Sequence, residues 1–530
     1  MKNRVFIKHQ EGNITPLLCE VIKNLPENCK NIIEFEKGTY YFEKEGSDAY
    51  PIFASSGSLC DGRNGNVLFP IINQKHITIE GNGSDFLICD RLQPFMVQNS
   101  HDVTFKNFTL DYAFLRYAYA DVVSVTGEGI ELFIDEKLAE YEVKDGCINF
   151  ICGKEKLSTK DRKISFKQMT PGKGGICFIY AGDVNCELNR AAKNVFVDAE
   201  KSDKGVFLRY RPGTTDVGFG IAPKDRICLA YDNDREYQMF WIDNSEKVKL
   251  ENISVYRNGG MGIVADGCKD ILIDKLNFSI KPGRDEYYTS TADAMFITNC
   301  RGKFILKNST VCDTYDDAIN IHGYYKKVKE VLGDNKIKLS IIHPAHIGVV
   351  PYKKGDKLLF NDTESGKVLF SSFVKKAEYD KDRNEMVVTL SDATKAAEGM
   401  TVENISAMPE VIIENNNISN CPHMRLSAPY MIIRNNKLNL NNADIYISDL
   451  WGFWSEYGRT LKTVISGNTF NNACDASIKI GSERPLGHNR NNGKVIIKNN
   501  RFFKSKEDAI KASYVDKVIL KNNEFGVAYD

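Results

Sequence analysis

The chain has 530 residues, with 70 Lys and Arg against 70 Asp and Glu, so its formal net charge is zero. Apolar residues make up 42% and charged residues 26%, which excludes a mainly disordered chain and a uniformly basic nucleic-acid coat. No apolar run approaches the roughly 18 residues of a membrane-spanning helix, so no span is expected.

The start, Met1-Lys-Asn-Arg-Val-Phe-Ile-Lys8, lacks the apolar core of a secretion signal. The expectation is a protein that stays in the cytoplasm, or one whose signal was trimmed. The first segment predicts a helix near Leu17–Lys23 and one strand over Ile32–Phe42, together capping the open end of whatever follows. The 14 Cys are scattered, with no Cys-x-x-Cys pair, and most lie in apolar surroundings. They read as small hydrophobes, and neither a zinc site nor any other metal or cofactor is expected.

A short phrase then recurs along the chain, an apolar stretch closed by Asn at its fifth position. It occurs as Val103-Thr-Phe-Lys-Asn107, Val248-Lys-Leu-Glu-Asn252, Phe304-Ile-Leu-Lys-Asn308 and Val411-Ile-Ile-Glu-Asn415. It returns as Met431-Ile-Ile-Arg-Asn435, Val464-Ile-Ser-Gly-Asn468, Val495-Ile-Ile-Lys-Asn499 and Val518-Ile-Leu-Lys-Asn522, with weaker copies at Ile77 and Ile271. The basic step is 20 to 23 residues, lengthened to 31 to 33 where a loop is added. Each unit holds two or three strands too short to bury their own apolar face, and stacking the units buries it. Asn tolerates the left-handed backbone that a corner needs, and stacked Asn side chains can bond from rung to rung. The pattern predicts an all-β protein, a right-handed parallel β-helix.

Two stretches break the repeat. Val122-Val-Ser-Val-Thr-Gly-Glu-Gly-Ile-Glu-Leu-Phe133 and Gly174-Gly-Ile-Cys-Phe-Ile-Tyr180 belong to one; Lys336-Ile-Lys-Leu339 and Glu385-Met-Val-Val-Thr-Leu390 to the other. Both read as small antiparallel β-barrel-like inserts. The expected division is 1–112 for the cap and first rungs, 113–238 for the first insert and 239–323 for the central rungs. The second insert follows at 324–408 and the last rungs at 409–530.

Chemistry concentrates in Cys312-Asp-Thr-Tyr-Asp-Asp-Ala-Ile-Asn-Ile-His-Gly323. Asp316 and Asp317 open a strand whose next polar residues are Asn320 and His322. Asp293 precedes Asp317 by 24 residues, about one rung, which stacks the two at roughly 4.8 Å between α-carbons. Asp-Ala before an apolar strand also occurs at Asp475 and Asp508, so one such Asp reads as a turn residue bonding nearby amides. Three carboxylates on adjacent rungs repel one another and raise at least one pKa, a cost that structure alone does not explain. They suit glycosidic bond cleavage, which needs a protonated acid and an ionised base. Asp293 and Asp317 in register suit a water-holding pair, and Asp316, facing another way, suits the acid.

At these residues the chain resembles polygalacturonases, whose Asn-Thr-Asp, Asp-Asp and Gly-His-Gly pattern it follows at Asp293, Asp316-Asp317 and His322-Gly323. It departs at Thr291-Ala292 and Ile321 and has no clear Arg-Ile-Lys phrase. It is more similar to glycoside hydrolase family 110, exo-acting α-1,3-galactosidases, through the phrase above, Asn258-Gly-Gly-Met-Gly-Ile263 and the two inserts. That resemblance implies inverting hydrolysis of terminal α-linked galactose from blood-group B or linear glycans, without a metal, in proteins that bacteria usually export. It implies catalytic roles for Asp293, Asp316 and Asp317. Arg257, Asn320 and His322 are candidate sugar contacts, and Trp451 and Trp454 candidate stacking rings. Rival readings are a calcium-dependent lyase using Lys281 or Arg284 as its base, and a non-catalytic glycan-binding solenoid.

Overall fold

The computed structural model describes residues 2–115, 117–136, 139–152, 154–158, 164–168, 179–181, 193–210, 212, 222–230, 235, 237–380, 385–393, 395–449, 452, 454–471, 473–482 and 492–527. Its backbone winds through successive rungs whose strands pair in parallel. One wall is a 19-stranded sheet, and a 12-stranded sheet forms the other. The fold is a parallel β-helix.

A rung can be followed at Glu246–Val255. Val248 and Leu250 point inward, the chain turns at Asn252, and Ile253 and Val255 point inward again from a second face. After a loop, Ile263–Asp266 supplies the third face, with Ile263 and Ala265 in the core. Each fully buried aliphatic chain contributes about 1.5–3 kcal/mol, and that core runs unbroken from Ile7 to Phe502. Stacked rings reinforce it, as in Phe69, Phe95 and Phe240 at 4.4 and 4.5 Å.

The corner asparagines adopt the expected conformation. Asn107, Asn252, Asn308, Asn415, Asn435, Asn499 and Asn522 have φ between 49° and 60°. The weak copy at Ile271 is weak because Lys275 occupies that corner, at φ 58°. One phrase is misregistered in the sequence reading. Val464 pairs with Ile432, so Thr463 takes the inward place, and Gly467, at φ 66°, is the corner instead of Asn468.

Asn468 belongs to a second ladder that the phrase did not reveal. Asn416, Asn436, Asn468, Asn500 and Asn523 follow the corners. Each of the first four donates from its backbone and side-chain nitrogens to the next one's Oδ1, at 2.9 to 3.1 Å. The side-chain nitrogens also reach carbonyls of the preceding rung, such as Ile413 and Ile433. Outer corner residues bond too, Asn252 to Asn107 at 2.9 Å.

The first segment forms a helix, Thr15–Lys23, that buries Leu18, Cys19 and Ile22. The single strand expected over 32–42 is two, Lys30–Phe35 and Thr39–Phe42, because a rung corner falls between them. They pair with two separate faces of Lys75–Ile88. Both repeat breaks are closed barrels among the described residues. One runs from Tyr117–Val125 to Arg226–Ala230 and the other from Lys326–Gly333 to Thr401–Asn404. The first departs from a wholly antiparallel design, since Ile179–Ala181 and Lys193–Ser202 run parallel. No helix among the described residues is long and apolar enough to cross a membrane.

Candidate active site

The corner that leads into the third face repeats on consecutive rungs. The amide of Gly262 donates to the carbonyl of Asp293 at 2.9 Å, that of Ala294 to Asp317 at 3.0 Å, and that of Ala318 to His423 at 3.0 Å. Bridges from Asn258 to Ser290 to Thr314 hold the preceding loops in step. Glycine is required at 262, where a Cβ would lie 2.5 Å from the Ala294 carbonyl oxygen and 2.6 Å from the Phe278 ring. The backbone therefore sets Asp293 and Asp317 one above the other, each almost completely buried.

Their electrostatics diverge. Burial, then the charges of Asp316 and Asp317, hold the Asp293 carboxyl well above the usual carboxylate range. Burial pushes Asp317 the same way, but His423 and Arg425 outweigh it and leave this carboxyl below its ordinary value. His423 Nε2 lies 2.9 Å from Asp317 Oδ1, and Arg425 Nε lies 3.6 Å from Oδ2. Asp316, with 22% of its side chain exposed, accepts from Arg235 Nη2 at 2.7 Å and from the Asp317 amide at 3.1 Å. Two carboxyls on adjacent rungs, one shifted up and the other down, are the kind of pair that acid–base catalysis uses.

His322 is neutral, its pKa driven by burial to about 3. Its Nδ1 donates to the Gly323 carbonyl at 3.2 Å, which leaves Nε2 an acceptor 3.4 Å from Glu456 Oε1. Asn320 stands on the outer face in register with Arg425, and its buried Oδ1 makes no hydrogen bond. Glu456 arrives on a two-residue strand running antiparallel to the end of Ile319–Tyr324. It is buried, and its charge also bears on Asp293. The loop before it brings Trp454 to 4.8 Å from His343 of the second insert. Trp451 lies outside the described residues.

Arg257 is held by Glu286, at 2.9 and 2.7 Å, and by the Tyr112 carbonyl. Arg284 is bound to Asp111 at 3.1 and 2.6 Å, with Lys281 Nζ 3.8 Å from the same carboxylate. The described residues contain no group of three His, Cys, Asp or Glu side chains suited to one metal ion.

Arg235, His423, Arg425 and Glu456 escaped the sequence reading. A signal existed for two of them. His423-Met-Arg425 places two basic residues on the outer side of a strand whose inner residues, Met424 and Leu426, are core.

No family model matches the chain. α-1,3-Galactosidase A of Bacteroides thetaiotaomicron is 26% identical over 508 residues, covering 93% of this chain and 85% of the relative. α-1,3-Galactosidase B of Phocaeicola vulgatus is 25% identical, covering 99% and 89%. The chain is similar to α-1,3-galactosidases. α-1,3-Galactosidase B of Bacteroides fragilis gives 25% identity across 97% of the chain and 89% of its own. Among solved structures, the periplasmic alginate epimerase AlgG aligns over 98% of this chain and 83% of its own, at 8% identity and TM-score 0.30. The tailspike of E. coli bacteriophage HK620 in complex with a pentasaccharide covers 96% and 55%, at 9% and 0.30. Neither of these is close enough to argue from.

Proposed function

We propose that the protein is an inverting, exo-acting glycoside hydrolase that releases terminal α-1,3-linked galactose from glycans of the blood-group B or linear type. The observation that carries this reading is the stacking of Asp293 and Asp317 on adjacent rungs, with their carboxyl pKa values moved in opposite directions. The relatives' names supply the sugar and linkage. Asp317, kept ionised by His423 and Arg425, is the base toward a water shared with Asp293. Asp316, the most exposed of the three, meets the leaving oxygen as the acid.

Residues of both inserts meet at Arg235: it binds Asp316, its charge bears on His343 of the second insert, and Trp454 packs beside that histidine. Asn320 Oδ1 supplies an acceptor for a sugar hydroxyl. The test is a panel of branched and linear α-galactosides followed by proton NMR. Galactose is expected to appear first as the β-anomer. First-formed α-galactose refutes inversion, and inertness toward the whole panel refutes the galactosidase reading. Asp316→Asn is expected to abolish release from Galα1-3Gal yet retain a larger share of activity on an aryl galactoside whose leaving group needs no proton. Equal loss on both moves the acid role to Asp293.

A further inference from the structure

We infer that Tyr287 is the platform for the sugar ring on the leaving side of the scissile bond, an inference that rests on the galactosidase reading above. Tyr287 lies six residues before Asp293 on the loop leading into it, and 42% of it is exposed. Exposure of so large a ring is ordinary on a mobile surface, but this ring is fixed from several sides. The amides of Tyr287 and Tyr288 both donate to the Tyr119 hydroxyl, at 2.8 and 3.3 Å, and the Tyr117 hydroxyl donates to the Tyr288 carbonyl. The Tyr119 ring meets Tyr287 edge-on at 5.1 Å. Arg226 donates to the Tyr287 hydroxyl and holds its guanidinium 4.9 Å from the ring centre, while Asp121 grips that arginine at 2.6 and 2.8 Å.

The same aromatic contacts lead to the acid. Tyr288 packs edge-on against Tyr315 at 5.2 Å, and Tyr315 directly precedes Asp316. Tyr287, braced by the first barrel, thus stands at one end of a fixed aromatic chain whose other end, Tyr315, adjoins the residue that meets the leaving oxygen, on a different segment from His343 and Trp454. A pyranose with an apolar C–H face is the ligand such a ring takes, and Arg226 and Asp121 offer a donor and an acceptor to its hydroxyls.

The experiment compares kcat/KM for Galα1-3Gal with that for α-galactosyl fluoride, which carries no leaving sugar. In Tyr287→Ala the ratio of disaccharide to fluoride should fall about ten-fold, the size of a lost ring contact, through KM. Tyr287→Phe, which keeps the ring, should hold the ratio within about two-fold. An unchanged ratio in Tyr287→Ala, including equal loss on both substrates, overturns the inference, as does an equal fall in both variants. A parent inactive on both substrates overturns the galactosidase reading and this one with it.

Discussion

Asp317-Ala318 and Asp475-Ala476 sit at the same corner of the solenoid, each just before a strand of the third face. At Asp475 the carboxylate is 35% exposed and bonds Lys479 at 2.8 Å and Lys511 at 2.6 Å, which with solvent keep it ionised and below its usual pKa. At Asp317 the carboxylate is buried, its partners are a histidine and an arginine from the next rung, and its charge in turn raises the pKa of Asp293. The corner is thus a structural device that tolerates Asp anywhere. What separates a turn from a site is the company that neighbouring rungs supply.

The largest break in that comparison should come from activity. Asp317→Asn is expected to lower kcat by about a thousand-fold, the scale of a lost general base, while Asp475→Asn stays within two-fold of the parent by about the same assay. Comparable losses in both would erase the distinction. Next, Asn468→Ala should destabilise the stack by about 3 kcal/mol in urea unfolding, because it takes the partner of the buried Asn436 amide, one of two acceptors of its side-chain nitrogen, and a donor to the Ile433 carbonyl. A loss under about 1 kcal/mol would show the inner ladder to be replaceable.

Asp293 gives a smaller effect with a definite sign. The folded protein holds a proton there that the unfolded chain releases, so stability falls as pH rises above the ordinary Asp value. Asp293→Asn, though inactive, should therefore melt a few degrees higher than the parent near pH 7–8, because the amide removes the cost of taking up that proton on folding, with the gain gone near pH 3. A lower melting temperature at neutral pH contradicts the assignment. Smallest of all, Lys511→Ala should shift stability by no more than about 0.5 kcal/mol, since its ion pair is half in water.

The solenoid was legible because the left-handed corner has a chemical signature. Asn is among the few residues that enter that conformation at little cost, so it marks most of the rungs. The inner ladder was hidden behind it: in the doublets Asn415-Asn416 and Asn435-Asn436 only stacking distinguishes the corner from the ladder. The Gly467 corner, one residue off the phrase, was misread for the same reason. Asp293, Asp316 and Asp317 stood out through doubling and spacing. Their partners did not, because Arg235 lies 81 residues before Asp316 and the second insert falls between Asp317 and His423. A period interrupted by a barrel cannot be counted across.

That interruption is itself bridged in the wall. Lys303 through Lys307 pair directly with Glu410 through Glu414, so the sheet closes over the second insert as though no residues intervened. Tyr457 pins the seam, its hydroxyl bonding both the amide and the carbonyl of Asn404 at 2.8 Å. The scaffold and the wall above the carboxylates can consequently diverge at different rates. A lineage could lengthen, trim or exchange the barrel, and so change which glycan enters, without repairing a single rung beneath it.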